Sequence, residues 1–131
     1  MIAEPGRRSI VGMVIVIDED EPLRTLLVEW LVAAGHADAR ELAPGELGAD
    51  AGGDWVELVV IDLPRMRPRL LLARVRAAWP HAALLGLSTQ VRASLPPGSP
   101  LVRELGLVGL LAKPCSRDEL LATVAEALRW R

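Results

Sequence analysis

Four short apolar runs, at residues 14–17, 58–61, 82–87 and 107–112, set the rhythm of this chain. They are rich in valine, isoleucine and leucine and do not alternate with polar residues, the pattern of strands buried on both faces. Between them apolar residues recur at helical spacing. Residues 21–34 carry Leu23, Leu26, Leu27, Trp30, Leu31 and Ala34; residues 69–79 carry Leu71, Leu72, Val75, Ala78 and Trp79; the stretch after Ser116 carries Leu120, Leu121, Val124, Ala125 and Leu128. Strands alternating with helices predict an α/β fold: a doubly wound parallel sheet, helices on both faces, right-handed crossovers.

Local signals set the ends of these elements. Asp20 can cap the first helix, whose first turn holds Glu21 and Pro22, and Gly35 stops it. Pro80 stops the second helix. Ser116 with Glu119 three residues on predicts a capping box for the last one.

Elsewhere the pattern is poor. Residues 36–42 make at best a weak edge strand, which would be the second of five in chain order. Residues 43–54 hold Pro44 and four glycines, so a helix there lasts no more than about a turn. Pro64 and Pro68 force a loop, and Pro96, Pro97 and Pro100 break the segment before the last strand into pieces. The reading is therefore a five-stranded sheet with its second strand and its second and fourth helices degraded. Residues 1–12 form an N-terminal arm and residues 13–131 one domain.

Composition narrows the function classes. A net charge of −2 gives no basic footprint for nucleic acid as a direct partner. No apolar run is long enough to cross a membrane, and the N-terminal residues do not make a signal peptide. The lone Cys115 excludes an internal disulfide and fits a reducing cytoplasm. Fourteen arginines stand against a single lysine, Lys113, which hints that its position needs a compact ammonium.

The candidate chemistry sits at the strand ends. The first run passes directly into Asp18, Glu19, Asp20 and Glu21, the second ends in Asp62, the third in Ser88 and Thr89, the fourth in Lys113-Pro114. In a parallel sheet these ends converge on one edge, where open α/β sheets bind ligands. Three carboxylates there suit a cation held by oxygen alone, such as Mg²⁺. A metal would offset the charge on an incoming phosphate and let the Asp62 carboxylate attack phosphorus. Lys113 would pair with the phosphoryl oxygens, and Ser88 would hydrogen-bond to them.

The order VIVIDEDEP, VVIDL, LLGLST and GLLAKP resembles the receiver domain of bacterial two-component response regulators, including the chemotaxis regulator, from about residue 14 to residue 128. The resemblance implies a flavodoxin-like receiver fold in which Asp18 and Glu19 bind Mg²⁺, Asp62 is the phosphoacceptor, Ser88 the switch hydroxyl and Lys113 the lysine of the fifth strand. It also implies that the main-chain carbonyl of Pro64 serves as a metal ligand. Departures are visible: an Asp-Glu pair in place of Asp-Asp, a loop after Asp62 with its proline and methionine early and no glycine, and Leu110 where an aromatic switch residue stands.

The expected function is thus a phosphoacceptor module in a bacterial cytoplasm, not itself an enzyme. Its implied partners are a histidine kinase or phosphotransfer protein and a downstream protein target, with a homodimer through the last strand and last helix also implied as possible. Two other classes stay open: a pseudo-receiver acting as a phosphorylation-independent binding module, and a phosphatase similar to the haloacid dehalogenases, with Asp18 as nucleophile. Trp30 and Trp79 lie on core stripes, whereas Trp55 and Trp130 lie outside them. Cys115 reads as a small buried filler. His36 and His81 show no ligand pattern.

Overall fold

The computed structural model describes residues 12–48 and 55–129. Residues 1–11 of the 1–12 arm, and Trp130, lie outside the described residues. Five parallel strands form one sheet: β1 (Met13–Ile17), β2 (Ala39–Leu42), β3 (Val56–Asp62), β4 (Ala83–Ser88) and β5 (Gly109–Ala112). Their order is β2-β1-β3-β4-β5. Among the described residues three α-helices connect strands, α1 (Glu21–Ala33), α2 (Pro68–Ala78) and α3 (Pro100–Leu105), and a fourth, α4 (Arg117–Arg129), follows β5.

The two faces of the sheet bury separate cores. On one face, Val14, Val16, Leu58, Val60, Leu85 and Leu87 meet Leu27 and Leu31 of α1 and Leu120 and Val124 of α4. On the other, Ile15, Ile17, Val59 and Ile61 meet Leu72 and Val75 of α2 and Val102 and Leu105 of α3, with Trp79 closing that layer. Each such side chain contributes about 1.5–3 kcal/mol by leaving water. Successive residues of β1 and β3 thus serve opposite cores, which is why both strands read as unbroken apolar runs.

The helical stripes are narrower than the spacing suggested. Leu26 is 39% exposed, and Ala34, Ala78 and Ala125 are exposed as well. A helix lying on a sheet buries a limited arc, and these residues fall on its flanks. Trp30 is partly buried and Trp79 buried, as expected. Trp55 is 77% exposed at the start of β3.

The poorly patterned stretches take the forms their composition permits. β2 is a four-residue edge strand. A single 3-10 turn (Pro44–Glu46) follows it. The last strand starts at Gly109 rather than at residue 107, because Leu107 closes α3. Gly106 adopts φ 72° and the Leu107 N–H donates to Val102 O at 2.9 Å, a helix end that satisfies orphan carbonyls.

The segment between β4 and α3 is a strap along the outer edge of β5. Leu95 pairs antiparallel with Leu110, its N–H donating to Leu110 O at 2.7 Å and the Leu110 N–H donating back at 3.2 Å. The capping box at Ser116 is only half built. Ser116 Oγ accepts from the Glu119 N–H at 3.0 Å, but the Glu119 carboxylate turns to the strap and accepts from Ser94 Oγ at 2.8 Å. The same Ser94 oxygen accepts from the Ala112 N–H at 2.9 Å. The tertiary partner outcompetes the local one.

Candidate functional site

The chain leaves β1 toward β2 on one side and β3 joins β1 on the other, so β1 and β3 flank a topological switch point. Ile17 pairs with Ile61 in register. The next residues, Asp18 and Asp62, therefore emerge side by side where the sheet opens a crevice.

Asp18 is 1% exposed, and three of its oxygens are engaged. Oδ1 accepts from the Asp20 N–H at 2.9 Å, Oδ2 from Lys113 Nζ at 3.1 Å, and the main-chain carbonyl from Arg24 Nη1 at 2.7 Å. Lys113 Nζ also donates to Asp62 Oδ1 at 3.1 Å, so one ammonium bridges the two carboxylates. The lysine arrives from β5, across β4: its own N–H donates to Ser88 O at 2.9 Å.

Burial pushes the Asp62 carboxyl above its usual range, and Asp18 and Glu19 push the same way against the hydrogen bond from Lys113. For Lys113, burial favours loss of the proton, but the hydrogen bonds to Asp18 and Asp62 outweigh it and the ammonium is held above its usual value. The Lys113 ammonium thus sits between two carboxylates, Asp18 and Asp62.

Glu19 and Asp20 are exposed. Asp20 serves as the cap of α1, accepting from the Leu23 N–H at 3.1 Å. Glu19 faces a cleft of about 320 Å³ that it shares with Asp62, Pro64, Met66, Arg67 and Arg74. Mg²⁺ takes oxygen donors, commonly one or two carboxylates with the rest water. Asp62 and Glu19 line one cleft with Asp18 adjacent, oxygen donors of the kind such a cation takes, and Pro64 stands at the same cleft. Among the described residues no group of three or more aspartate, glutamate, histidine or cysteine side chains is placed to hold a metal ion as the site stands.

Ser88 ends β4 at the same edge, in register with Ala112. Its hydroxyl accepts from the Gln90 N–H at 2.9 Å and touches neither carboxylate. Thr89 is exposed and accepts from Gln90 Nε2. Leu110 is buried beneath the strap. Cys115 is half-buried; burial and then the nearby Glu119 carboxylate raise its thiol, as befits a packing residue. His36 is depressed by burial and His81 lies at an exposed turn.

Sequence reasoning brought out Asp18, Asp62, Ser88 and Lys113 but missed Arg24 and Ser94. Arg24 sits about one turn into α1, just after the acids, a spacing that points it back at them. Nothing local marks Ser94, whose partners are 18 and 25 residues away.

No family model matches the sequence, and no curated protein matches it. Solved structures do resemble it. A CheY-like response regulator receiver domain protein from Methanospirillum hungatei superposes with a TM-score of 0.70 at 18% identity, over 90% of this chain and 94% of that one. A response regulator from Thermotoga maritima gives 0.68 at 20% identity, over 90% and 98%. The chemotaxis protein CheY4 of Vibrio cholerae gives 0.69 at 21%, over 88% and 98%. The chain has the fold of response regulator receiver domains.

Proposed function

We propose that the chain is a phosphoacceptor receiver module of a two-component or phosphorelay system in a bacterial cytoplasm, and is not itself an enzyme. The observation that carries this reading is Lys113 bridging Asp18 and Asp62 at the carboxyl edge of the sheet. An ammonium placed there can leave one carboxylate for the oxygens of an arriving phosphoryl group without leaving its own pocket.

In this reading a histidine kinase or phosphotransfer protein presents a phosphohistidine at the cleft beside Asp62. An Asp62 oxygen attacks phosphorus, the phosphorus–nitrogen bond breaks, and its electron pair leaves with the imidazole. Asp18, Glu19, Asp62 and the Pro64 carbonyl would hold Mg²⁺, which when bound offsets the negative charge of phosphate and carboxylate. Lys113 orients the phosphoryl oxygens, and Ser88 trades its bond from the Gln90 N–H for one to them. The output passes to a downstream protein target.

A second reading draws on the strap. Its bonds to β5 and α4 fasten the segment that would have to move, and Leu110 offers no ring to reorient. Both favour a binding module whose surface is constant and whose phosphorylation is lost.

Intact mass after incubation with acetyl phosphate and Mg²⁺ separates the readings. The expected result is a gain of one phosphoryl group that chelator and Asp62→Ala both abolish. No adduct, together with no protection by beryllofluoride, would support the binding module. An adduct that persists in Asp62→Ala but disappears in Asp18→Ala would move the nucleophile to Asp18, the phosphatase arrangement.

A further inference from the structure

The acid-bearing turn is held by a residue pair outside the strand ends. Arg24 reaches from α1 with two donors: Nη1 to Asp18 O at 2.7 Å and Nε to Glu41 Oε1 at 2.9 Å. Its side chain is only 12% exposed. Glu41 is fastened in turn, since Thr25 Oγ1 lies 3.0 Å from both its oxygens. Glu41 belongs to β2 and is in register with Val16, two residues before Asp18.

The geometry assigns Arg24 and Glu41 as a positioning pair that fixes the Asp18–Glu19 peptide and thereby the reach of Glu19 toward Asp62. The inference rests on the reading of this edge as a cation-assisted phosphoacceptor site. The carbonyl that Arg24 grips is the oxygen of that peptide. A peptide is planar, so fixing its oxygen orients the unit that carries Glu19 away from the sheet. Because the side chain of Asp18 is already held by Asp20 and Lys113, the Arg24 bond adds control of the next residue rather than of Asp18 itself.

This pair accounts for two oddities together. A glutamate stands second in the acidic pair, with one more rotatable bond to restrain than an aspartate has. The edge strand beside it has poor strand chemistry yet places Glu41 opposite the turn. Only a guanidinium fits the task, because its rigid fork donates to two acceptors along separate directions.

Charge and positioning predict opposite signs, which makes the pair testable. Removing the Arg24 cation would by Coulomb attraction alone tighten a cation at the acids. Loss of the clamp weakens it instead. Mg²⁺ titration by calorimetry on the full chain is expected to show Arg24→Gln and Arg24→Lys both weaker by about tenfold, the low end of the effect of removing a group that supports a metal ligand. Glu41→Gln should follow them.

A metal-free measurement accompanies it. In each variant the Asp20 amide, bonded to Asp18 Oδ1, should exchange several-fold faster while the amides of Val16 and Val60 keep their protection. Arg24→Gln binding Mg²⁺ as tightly as the parent or tighter, or Asp20 exchange unchanged in all three variants, would overturn the clamp. If the parent itself takes no Mg²⁺, the cation reading fails, and Asp20 exchange alone decides the positioning role. Should Arg24→Gln lose protection at Val16 and Val60, the positioning role stands or falls with Glu41→Gln, which removes only an edge partner.

Discussion

Asp18 and Lys113 show how a single charged contact can serve structure and chemistry together. Asp18 is nearly inaccessible, so its carboxylate is tolerable only because each oxygen has a donor. Breaking a buried pair on one side leaves a charge without compensation. Lys113→Met is therefore expected to lower unfolding free energy by about 3–5 kcal/mol, read by urea denaturation, a cost larger than most exposed ion pairs could exact. The Arg69–Glu104 pair, with both side chains about 60% exposed, is worth at most about 1 kcal/mol on the same physical grounds.

At the scale of elements, the strap of residues 89–99 is where this protein departs from a simple alternation of strands and helices. β5 is a sheet edge, and an edge left open offers unpaired N–H and C=O groups to other chains. Leu95 and Ser94 cover them, taking the amides of Leu110 and Ala112. Sheet extension through this part of β5 is closed while the strap is in place. Ser94 both accepts from β5 and donates to Glu119 of α4. Ser94→Ala leaves the Ala112 N–H and the Glu119 carboxylate without this partner. The expected cost is about 1–3 kcal/mol, with faster amide exchange at Ala112 and Leu95 than in the parent and little change in β1 and β3.

Across the whole molecule, the acid-lined edge sets function against stability. The Asp62 carboxyl is raised above its ordinary value near 3.8 by burial and by Asp18 and Glu19. A group raised in the folded state binds its proton more tightly there than when unfolded, so stability falls as pH rises through the window between the two values. At neutral pH the ionised Asp62 is therefore a net cost to folding. Asp62→Asn is expected to melt at a higher temperature than the parent at pH 7, with the gap closing as pH falls below about 3.8. A parent that melts at or above the Asn variant at pH 7 would show that the bond from Lys113 outweighs the burial cost.

The apolar runs at β1, β3 and β4 and the stripes centred on Leu27, Leu31, Leu72, Val75, Leu120 and Val124 were legible without coordinates, because burial on one or both faces writes its period directly into the chain. From those alone followed the parallel sheet and the convergence of Asp18, Asp62, Ser88 and Lys113 on one edge. Other features depended on distant partners. That Lys113 bridges two carboxylates, that Arg24 grips the Asp18 carbonyl while paired with Glu41, and that Glu119 forsakes its capping box for Ser94 are contacts across 6 to 95 residues. Local sequence records a residue's preference but not its competitors. A side chain takes the partner that desolvates it least and pairs it best, and only the folded arrangement decides which partner that is.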